Sequence, residues 1–276
     1  MITVTAMRTL FFALILTGLT ISSVMPVSVP ATIMTASGGR GSSTVRQDPA
    51  RVDSLLKDAR HLLRTGKDPK AAKARLDSAM LICEKQKLEK PAALHLLLAE
   101  YYMLTADFRN ASEEAETALA RAREDGDENT TAGAMRFLGS YYRRTGFYRE
   151  SVDYYNDAIE LARDKKIRGI IPYSYQGLGN LYNTIGDIPQ YQENLRLMSA
   201  AAFEEMDTTA AEDALLMLGT SLTDKVRDFR KADSILKKCY SISLIRRDTF
   251  FTAYSSANMG WNFYREEMYD SAEYYY

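Results

Sequence analysis

A pattern of small and large apolar side chains repeats along residues 51–276 with a period of about 40 residues. The small residue of the pattern recurs at intervals of 40, 40, 40, 40 and 41 residues, at Ala59, Ala99, Gly139, Gly179, Gly219 and Gly260. A large residue follows three places later each time, at Leu62, Tyr102, Tyr142, Tyr182, Leu222 and Phe263. A fixed period of this length predicts an array of stacked structural repeats.

The second half of each repeat has an apolar pattern of its own. A small residue stands 12 or 13 places after the first one, at Ala72, Ala111, Ser151, Ala232 and Ala272. Four places on stand Leu76, Ala115, Tyr155, Leu195, Leu236 and Tyr276, and three further on Ala79, Ala118, Ala158, Met198 and Cys239. Steps of three and four residues mark one face of a helix. Each unit is therefore predicted to be two antiparallel helices, with Gly66, Gly146 and Gly186 in the turn between them.

The period divides the chain into units. We assign them to residues 51–90, 91–130, 131–170, 171–210, 211–251 and an incomplete sixth unit, 252–276. Tyr276 falls midway along the second predicted helix of the sixth unit, whereas solenoids usually close on a polar capping helix. We therefore expect the sequence to be a fragment of a longer protein.

Two units depart from the pattern. The fourth has Tyr191 where a small residue is expected. The fifth has an extra residue before Phe229 and lacks the turn glycine. Local geometry in these two units is therefore expected to differ from that of the others.

The pattern resembles the tetratricopeptide repeat family over roughly residues 51–276. The third unit is the most similar, with family positions occupied by Leu138, Gly139, Tyr142, Gly146, Tyr148, Ser151, Tyr155 and Ala158. The family period is about 34 residues, so each unit here is longer. The resemblance implies an all-α fold, a right-handed superhelical α-solenoid of antiparallel helix hairpins. The lengthened, tyrosine-rich repeat is similar to that of exported arrays in Bacteroidetes-type bacteria.

The N-terminus reads as a targeting segment. Arg8 precedes an apolar run over residues 10–28, and Val29-Pro30-Ala31 offers a cleavage site. Residues 1–31 are therefore predicted to be a signal peptide, or alternatively a retained membrane anchor. The Ser-, Thr- and Gly-rich residues 32–50 are predicted to be a flexible linker. These features predict an exported protein of the periplasm or cell envelope, or one anchored in the membrane and facing the periplasm.

Composition excludes several kinds of chemistry. Lys and Arg number 35 against 36 Asp and Glu, so no basic surplus suggests nucleic acid as a partner. The only histidines, His61 and His95, are isolated, which gives no metal cluster and no histidine-based triad. Cys83 and Cys239 read as small buried side chains. We predict that the protein is not an enzyme and needs no cofactor or metal.

The resemblance also implies that the first helix of each unit lines the concave surface. It carries over to that surface Arg60, Arg64, Leu96, Glu100, Met103, Arg136, Ser140, Arg143, Tyr173, Gln176, Asn180, Asn183, Leu216, Thr220 and Trp261. The partner-binding candidates among them are Arg136, Ser140, Arg143, Tyr173, Gln176, Asn180, Asn183 and Trp261. Two arginines beside three side-chain amides can hold an extended peptide. The alternative is that these are solvated helix faces, with Trp261 either an anchor or a packing residue.

Two functions fit these features. The first is an exported scaffold that binds a protein or peptide through its concave face. The second is the extracytoplasmic sensor region of a truncated membrane signalling protein, either a histidine kinase or a DNA-binding regulator. A third hypothesis, a carbohydrate-uptake lipoprotein, is weakened because no cysteine follows the apolar run.

Overall fold

The computed structural model describes residues 48–276, with the exception of Lys67. The predicted signal peptide, residues 1–31, lies outside the described residues, as does the predicted linker up to residue 47. The first helix begins at Asp48, three residues before the start assigned to the array. None of the described helices is long and apolar enough to cross a membrane.

Helices make up nearly all of the described chain. In order they are α1 Asp48–Thr65, α2 Pro69–Gln86, α3 Ala92–Leu104, α4 Phe108–Glu124, α5 Glu128–Thr145, α6 Tyr148–Lys165, α7 Ile171–Ile185, α8 Ile188–Glu204, α9 Thr208–Ser221, α10 Phe229–Arg246, α11 Thr249–Arg265 and α12 Tyr269–Tyr275. A π-helical segment, Leu222–Val226, follows α9 directly. The predicted all-α class is confirmed.

The helices pair in sequence and stack as hairpins. Each odd-numbered helix packs against the even-numbered helix that follows it, and each hairpin packs against the next. Successive first helices also contact one another, from α1 with α3 to α9 with α11, whereas no pair of second helices within residues 48–276 packs to this extent. Since the first helices lie closer together, they form the inner layer of the array. The predicted solenoid of helix hairpins is confirmed.

A small set of apolar side chains holds each hairpin together. The predicted inward positions are fully buried, among them Leu76, Leu138, Leu195 and Leu236 at 0% exposure. Their burial removes apolar surface from water, which stabilises the folded state by about 25 cal/mol for each Å² buried. Because each hydrophobic cluster contains residues of neighbouring hairpins, the stability of a unit depends on the units beside it.

The turns within the hairpins use a left-handed residue. Gly66, Gly146 and Gly186 have φ values of 61°, 89° and 82°, which confirms the predicted turn glycines. The second and fifth units place Ala106 and Arg227 in the same conformation, with φ values of 59° and 61°. This conformation costs an L-residue about 1–2 kcal/mol, so these two turns are held by the packing around them.

The irregular fourth and fifth units are accommodated in different ways. In the fifth unit the extra residue is taken up by the π-helical segment Leu222–Val226, since a π turn holds one residue more than an α turn. In the fourth unit the ring of Tyr191 is buried against the opposing helix. A Cβ atom built at Gly179 would lie 3.5 Å from Cδ2 of Tyr191, an ordinary van der Waals distance, so the larger ring packs beside this position without overlap.

Candidate partner-binding face

The candidate site is the inner face, which we define as the surface of α3, α5, α7, α9 and α11 that faces away from the second helices. On each of these helices, the residue that directly follows the small core residue of the repeat lies on this face. The residues at this position are Glu100, Ser140, Asn180, Thr220 and Trp261, and all five are half-buried. The face is therefore lined by polar side chains that retain access to solvent.

The third unit contributes two arginines whose hydrogen-bonding capacity is unused. Arg136 and Arg143 are two turns apart on α5, and Ser140 lies between them. The Nε atoms of both arginines are buried and have no hydrogen-bond partner among the described residues. Buried N–H groups usually find an acceptor. These two donors therefore mark a point where the fold leaves an acceptor to be supplied.

A carboxyl group lies on the α3 side of these arginines. Burial raises the pKa of Glu100, and the positive charges of Arg136 and Arg60 oppose that rise. The arginines of the first and third units therefore act on the same carboxyl group of the second. Three consecutive first helices thus converge on one charged cluster.

The polar groups of α7 contact α9 and its N-terminal cap. The Tyr173 hydroxyl donates to Oδ2 of Asp207 at 3.2 Å, and Gln176 Nε2 donates to Sδ of Met217 at 3.9 Å. Burial raises the pKa of Tyr173, as do the negative charges of Asp207 and Asp213, while Arg64 lowers it. An arginine of the first unit thus acts on a tyrosine of the fourth.

Asp213 is an inner-face residue that the sequence analysis missed. It stands 40 residues after Tyr173, so the repeat register alone could have identified it. It is half-buried on α9 and forms no ion pair among the described residues. Burial, followed by the negative charge of Asp207, raises the pKa of its carboxyl group.

The remaining amide candidates are used between units or lie free on the surface. Lys225 donates to Oδ1 of Asn183, which joins the fifth unit to the fourth. Thr220 Oγ1 donates to Oδ1 of Asn258 at 3.1 Å in the same manner. Asn180 is half-buried, and its backbone carbonyl accepts from Thr184 at 2.8 Å. These bonds order the floor of the face but leave fewer amides for a partner than the sequence suggests.

Trp261 packs against the preceding unit. Its Nε1 donates to Oδ1 of Asp224 at 2.8 Å, and the Arg265 guanidinium lies 5.4 Å from the ring centroid. Arg265 also donates to the same oxygen of Asp224 at 2.8 Å. These contacts join the sixth unit to the fifth and leave the ring half-buried.

Several polar residues off the inner face have structural partners, while the buried atoms Nε2 of His95, Oε1 of Glu212 and Oδ1 of Asp233 have none among the described residues. His95 Nδ1 lies 2.6 Å from Oε2 of Glu114, which joins the two helices of the second hairpin. The Glu212 side chain is fully buried and pairs with Arg246. Both cysteines are buried and free. Within the described residues, no group of three or more His, Cys, Asp or Glu side chains could hold a metal ion.

A cleft near a helix end lies away from the inner face. It measures about 510 Å³ and lies between the second helices α6 and α8, with Ile167 and Leu197 in its wall. At its rim Arg168 donates to the backbone carbonyl of Glu205, and the backbone N–H of Gly169 donates to Oε2 of the same residue at 2.6 Å. Because these rim groups bond one another, they offer little to orient a ligand.

Comparison with known families agrees with this geometry. Residues 89–164, which hold the second and third hairpins, match the family model described as tetratricopeptide repeat. Residues 89–164 contain tetratricopeptide repeats. No curated protein matches the sequence.

Solved structures share the tetratricopeptide architecture at low sequence identity. A signal transduction ATPase with a tetratricopeptide repeat sensor, from Pyrococcus horikoshii, is 16% identical with a TM-score of 0.62, and the match covers 84% of this chain. This chain spans only 36% of that protein's length. A Rap protein complexed with Competence and Sporulation Factor is 13% identical with a TM-score of 0.63, covering 82% of this chain and 72% of the other. Aspartyl phosphate phosphatase F from Bacillus subtilis is 10% identical with a TM-score of 0.63, and the match covers 83% of this chain and 69% of the other.

Proposed function

We propose that the tetratricopeptide array is a scaffold that binds an extended segment of a protein or peptide along its inner face. The observation that carries this proposal is the pair of buried, unpartnered Nε atoms on Arg136 and Arg143. Both belong to the layer of first helices, in which Tyr173, Gln176 and Asn183 use polar groups within the array. A partner's carboxylate or backbone carbonyl would supply the missing acceptors.

The energetics favour a ligand at this point. A buried donor without a partner costs about 1–3 kcal/mol, and hydrogen bonds to charged groups contribute about 1.5–3 kcal/mol. A guanidinium presents a planar fork of donors that matches a carboxylate. Binding an acidic or carbonyl-rich segment therefore relieves a cost already present in the free array.

The comparisons support the class of function. The Rap protein that shares this fold was solved with Competence and Sporulation Factor bound, so an array of this architecture can hold a partner. At 13% identity the likeness concerns the fold, and the residues that bind are proposed here from this chain alone.

The test compares two double variants in a pull-down with the 276-residue chain as bait. Arg136→Ala with Arg143→Ala removes the inner-face pair. Arg123→Ala with Arg149→Ala removes two exposed arginines from the second helices α4 and α6, and circular dichroism confirms that both variants fold. We expect the inner-face variant to lose the partners recovered by the wild type and the control to keep them. Unchanged recovery by the inner-face variant would refute the arginine site.

Three further elements of the proposal concern the role of the scaffold. The scaffold acts without a catalytic step of its own. It works in the cell envelope after export, which rests on residues 1–31 outside the described part of the chain. As the alternative role, the same face senses a ligand within a longer signalling protein. Cell fractionation of the full-length protein tests the location, since recovery in the cytoplasm alone would contradict export.

A further inference from the structure

Two charged groups of opposite sign that form no ion pair among the described residues lie on the inner face, two units apart. The basic one is formed by Arg136 and Arg143 on α5, neither of which has an ion-pair partner among the described residues. The acidic one is Asp213 on α9, which likewise has no cationic partner there. Neither group forms an ion pair with another described residue, so a ligand can provide a partner for each.

Asp213 and its neighbour Asp207 differ in whether their carboxylate oxygens already accept hydrogen bonds. Asp207 uses Oδ1 to accept from the backbone N–H of Ala210 at 3.0 Å and Oδ2 to accept from Tyr173 at 3.2 Å. Asp213 forms neither a hydrogen bond nor an ion pair with the described residues. The carboxylate available to a ligand cation is therefore that of Asp213.

The helix between the two charges contributes neutral groups only. On α7 the inner-face side chains are Tyr173, Gln176, Asn180 and Asn183. They offer hydrogen bonds to a peptide backbone but no competing charge. The positive charge of Arg64 in the first unit reaches Tyr173, so a basic ligand side chain is drawn past α7 toward Asp213 on α9.

Glu100 sets the limit of the basic region. It lies on α3, and its charge is coupled to that of Arg136. An anion on this side of Arg136 would meet the negative charge of Glu100, so the favourable position for a ligand carboxylate is toward Arg143 and α7. The ligand is thereby directed along the face toward Asp213.

The spacing of the helices fixes the separation of the charges in the ligand. Helices in contact have axes about 8–10 Å apart, and α5 and α9 are two such steps apart, about 20 Å. An extended chain covers about 3.3 Å for each residue. We infer that the inner face selects an extended segment with an acidic side chain over α5 and a basic side chain over α9, about six residues apart. This inference rests on the proposed peptide-binding function and names the chemistry of the partner.

The probe for the test is a phage-displayed library of random dodecapeptides, selected against the full chain. Parallel selections use Arg136→Gln with Arg143→Gln, and Asp213→Asn alone. We expect wild-type selections to enrich peptides that carry Asp or Glu and Lys or Arg about six residues apart. The arginine variant should lose the preference for the acidic residue, and Asp213→Asn should lose the preference for the basic one.

Affinity measurements on one enriched peptide complete the test. Replacing its acidic residue with the amide should weaken binding to the wild type by about tenfold and leave binding to the arginine variant unchanged. If enriched peptides depend on Arg136 and Arg143 but show no fixed spacing to a basic residue, the inference fails and the peptide-binding function stands. If no enrichment depends on any of the three residues, both fail.

Discussion

The ring of Tyr155 occupies the space beside Gly177 that a side chain would need. A Cβ atom built at Gly177 would lie 2.2 Å from Cζ and 2.4 Å from Oη of Tyr155. The same ring passes Gly139 of its own hairpin, where a Cβ would lie 2.8 Å from Cδ1. One tyrosine of α6 is thus held between glycines of α5 and α7, and joins the third unit to the fourth.

Replacing Gly177 with Ala should therefore destabilise the array. Because the overlap involves a ring with 2% exposure, α6 and α7 must separate, and we expect the free energy of unfolding to fall by about 1–3 kcal/mol. Urea denaturation measures it. Gly179→Ala on the same helix is the control, since its nearest atom would be at 3.5 Å and a helical Gly→Ala change favours the helix by about 1 kcal/mol.

The cause can be isolated with a second substitution. Tyr155→Leu shortens the side chain that meets the new methyl group, so Gly177→Ala should cost less in that background. A coupling energy of at least about 0.5 kcal/mol in the double-mutant cycle is expected. Additive effects of the two changes would contradict the packing relationship.

The turn at Ala106 should be stabilised by glycine. Ala106 is exposed and has a φ of 59°, a conformation that costs L-residues about 1–2 kcal/mol and glycine much less. After the greater flexibility of glycine in the unfolded chain is deducted, Ala106→Gly should raise the free energy of unfolding by about 0.5–1 kcal/mol. The reverse change, Gly146→Ala at a φ of 89°, should lower it. A Tm that falls for Ala106→Gly would be inconsistent with this account.

Asp207 should be worth more to stability than a capping aspartate without a second partner. Asp187 caps α8 by accepting from the backbone N–H of Gln190 at 3.1 Å, and Asp187→Ala should cost about 1 kcal/mol. Asp207 caps α9 and also accepts from Tyr173. Asp207→Ala should therefore exceed the cost of Asp187→Ala by about 0.5–1.5 kcal/mol, the net value of one hydrogen bond. Equal costs in urea denaturation would argue against the bond between Tyr173 of α7 and the N-cap of α9.

The ionised form of Asp213 should destabilise the free array. Burial, followed by the charge of Asp207, raises its pKa above 3.8 in the folded chain. The folded state therefore holds this proton to a higher pH than the unfolded state, and the free energy of unfolding decreases as the pH rises above 3.8. Asp213→Asn should raise the Tm at neutral pH, and the gain should disappear in acid, where both states are protonated.

An exposed carboxylate provides the control for this pH dependence. Asp157 lies exposed on α6, so Asp157→Asn changes the net charge equally without relieving a buried group. Thermal melts of both variants across the acid range separate the two effects. Identical behaviour of the two variants would show that Asp213 carries no burial cost.

The repeat period was sufficient to predict the fold and the inward positions. The small residues Gly139 and Gly219 recur with the repeat period, and the large Leu222 follows Gly219 at the three-residue spacing of a helix face. Only a stacked pair of helices buries all of them. The turn glycines followed from the same register. These features depend on the local and periodic spacing of side chains, which a single sequence shows directly.

The pairing between hairpins was not predictable in the same way. The bonds from Tyr173 to Asp207, from Lys225 to Asn183 and from Trp261 to Asp224 join residues 34 to 42 positions apart. They depend on rotamers and on the rotation between hairpins, which a repeat pattern does not specify. For the same reason the sequence could not show that Arg136 and Arg143 are left without partners while the neighbouring amides are used.

The most direct test of the proposed binding face is site-specific photo-crosslinking. A photoreactive amino acid is placed at Asn180, half-buried on the inner face, or at Glu160, exposed on the outer side of α6. Cells expressing each form are irradiated, and covalent adducts are identified by mass spectrometry. The account predicts a discrete adduct at position 180 that is absent at position 160 and is lost with Arg136→Ala and Arg143→Ala. Adducts at position 160 alone, or adducts at position 180 that survive the arginine changes, would contradict binding at the inner face.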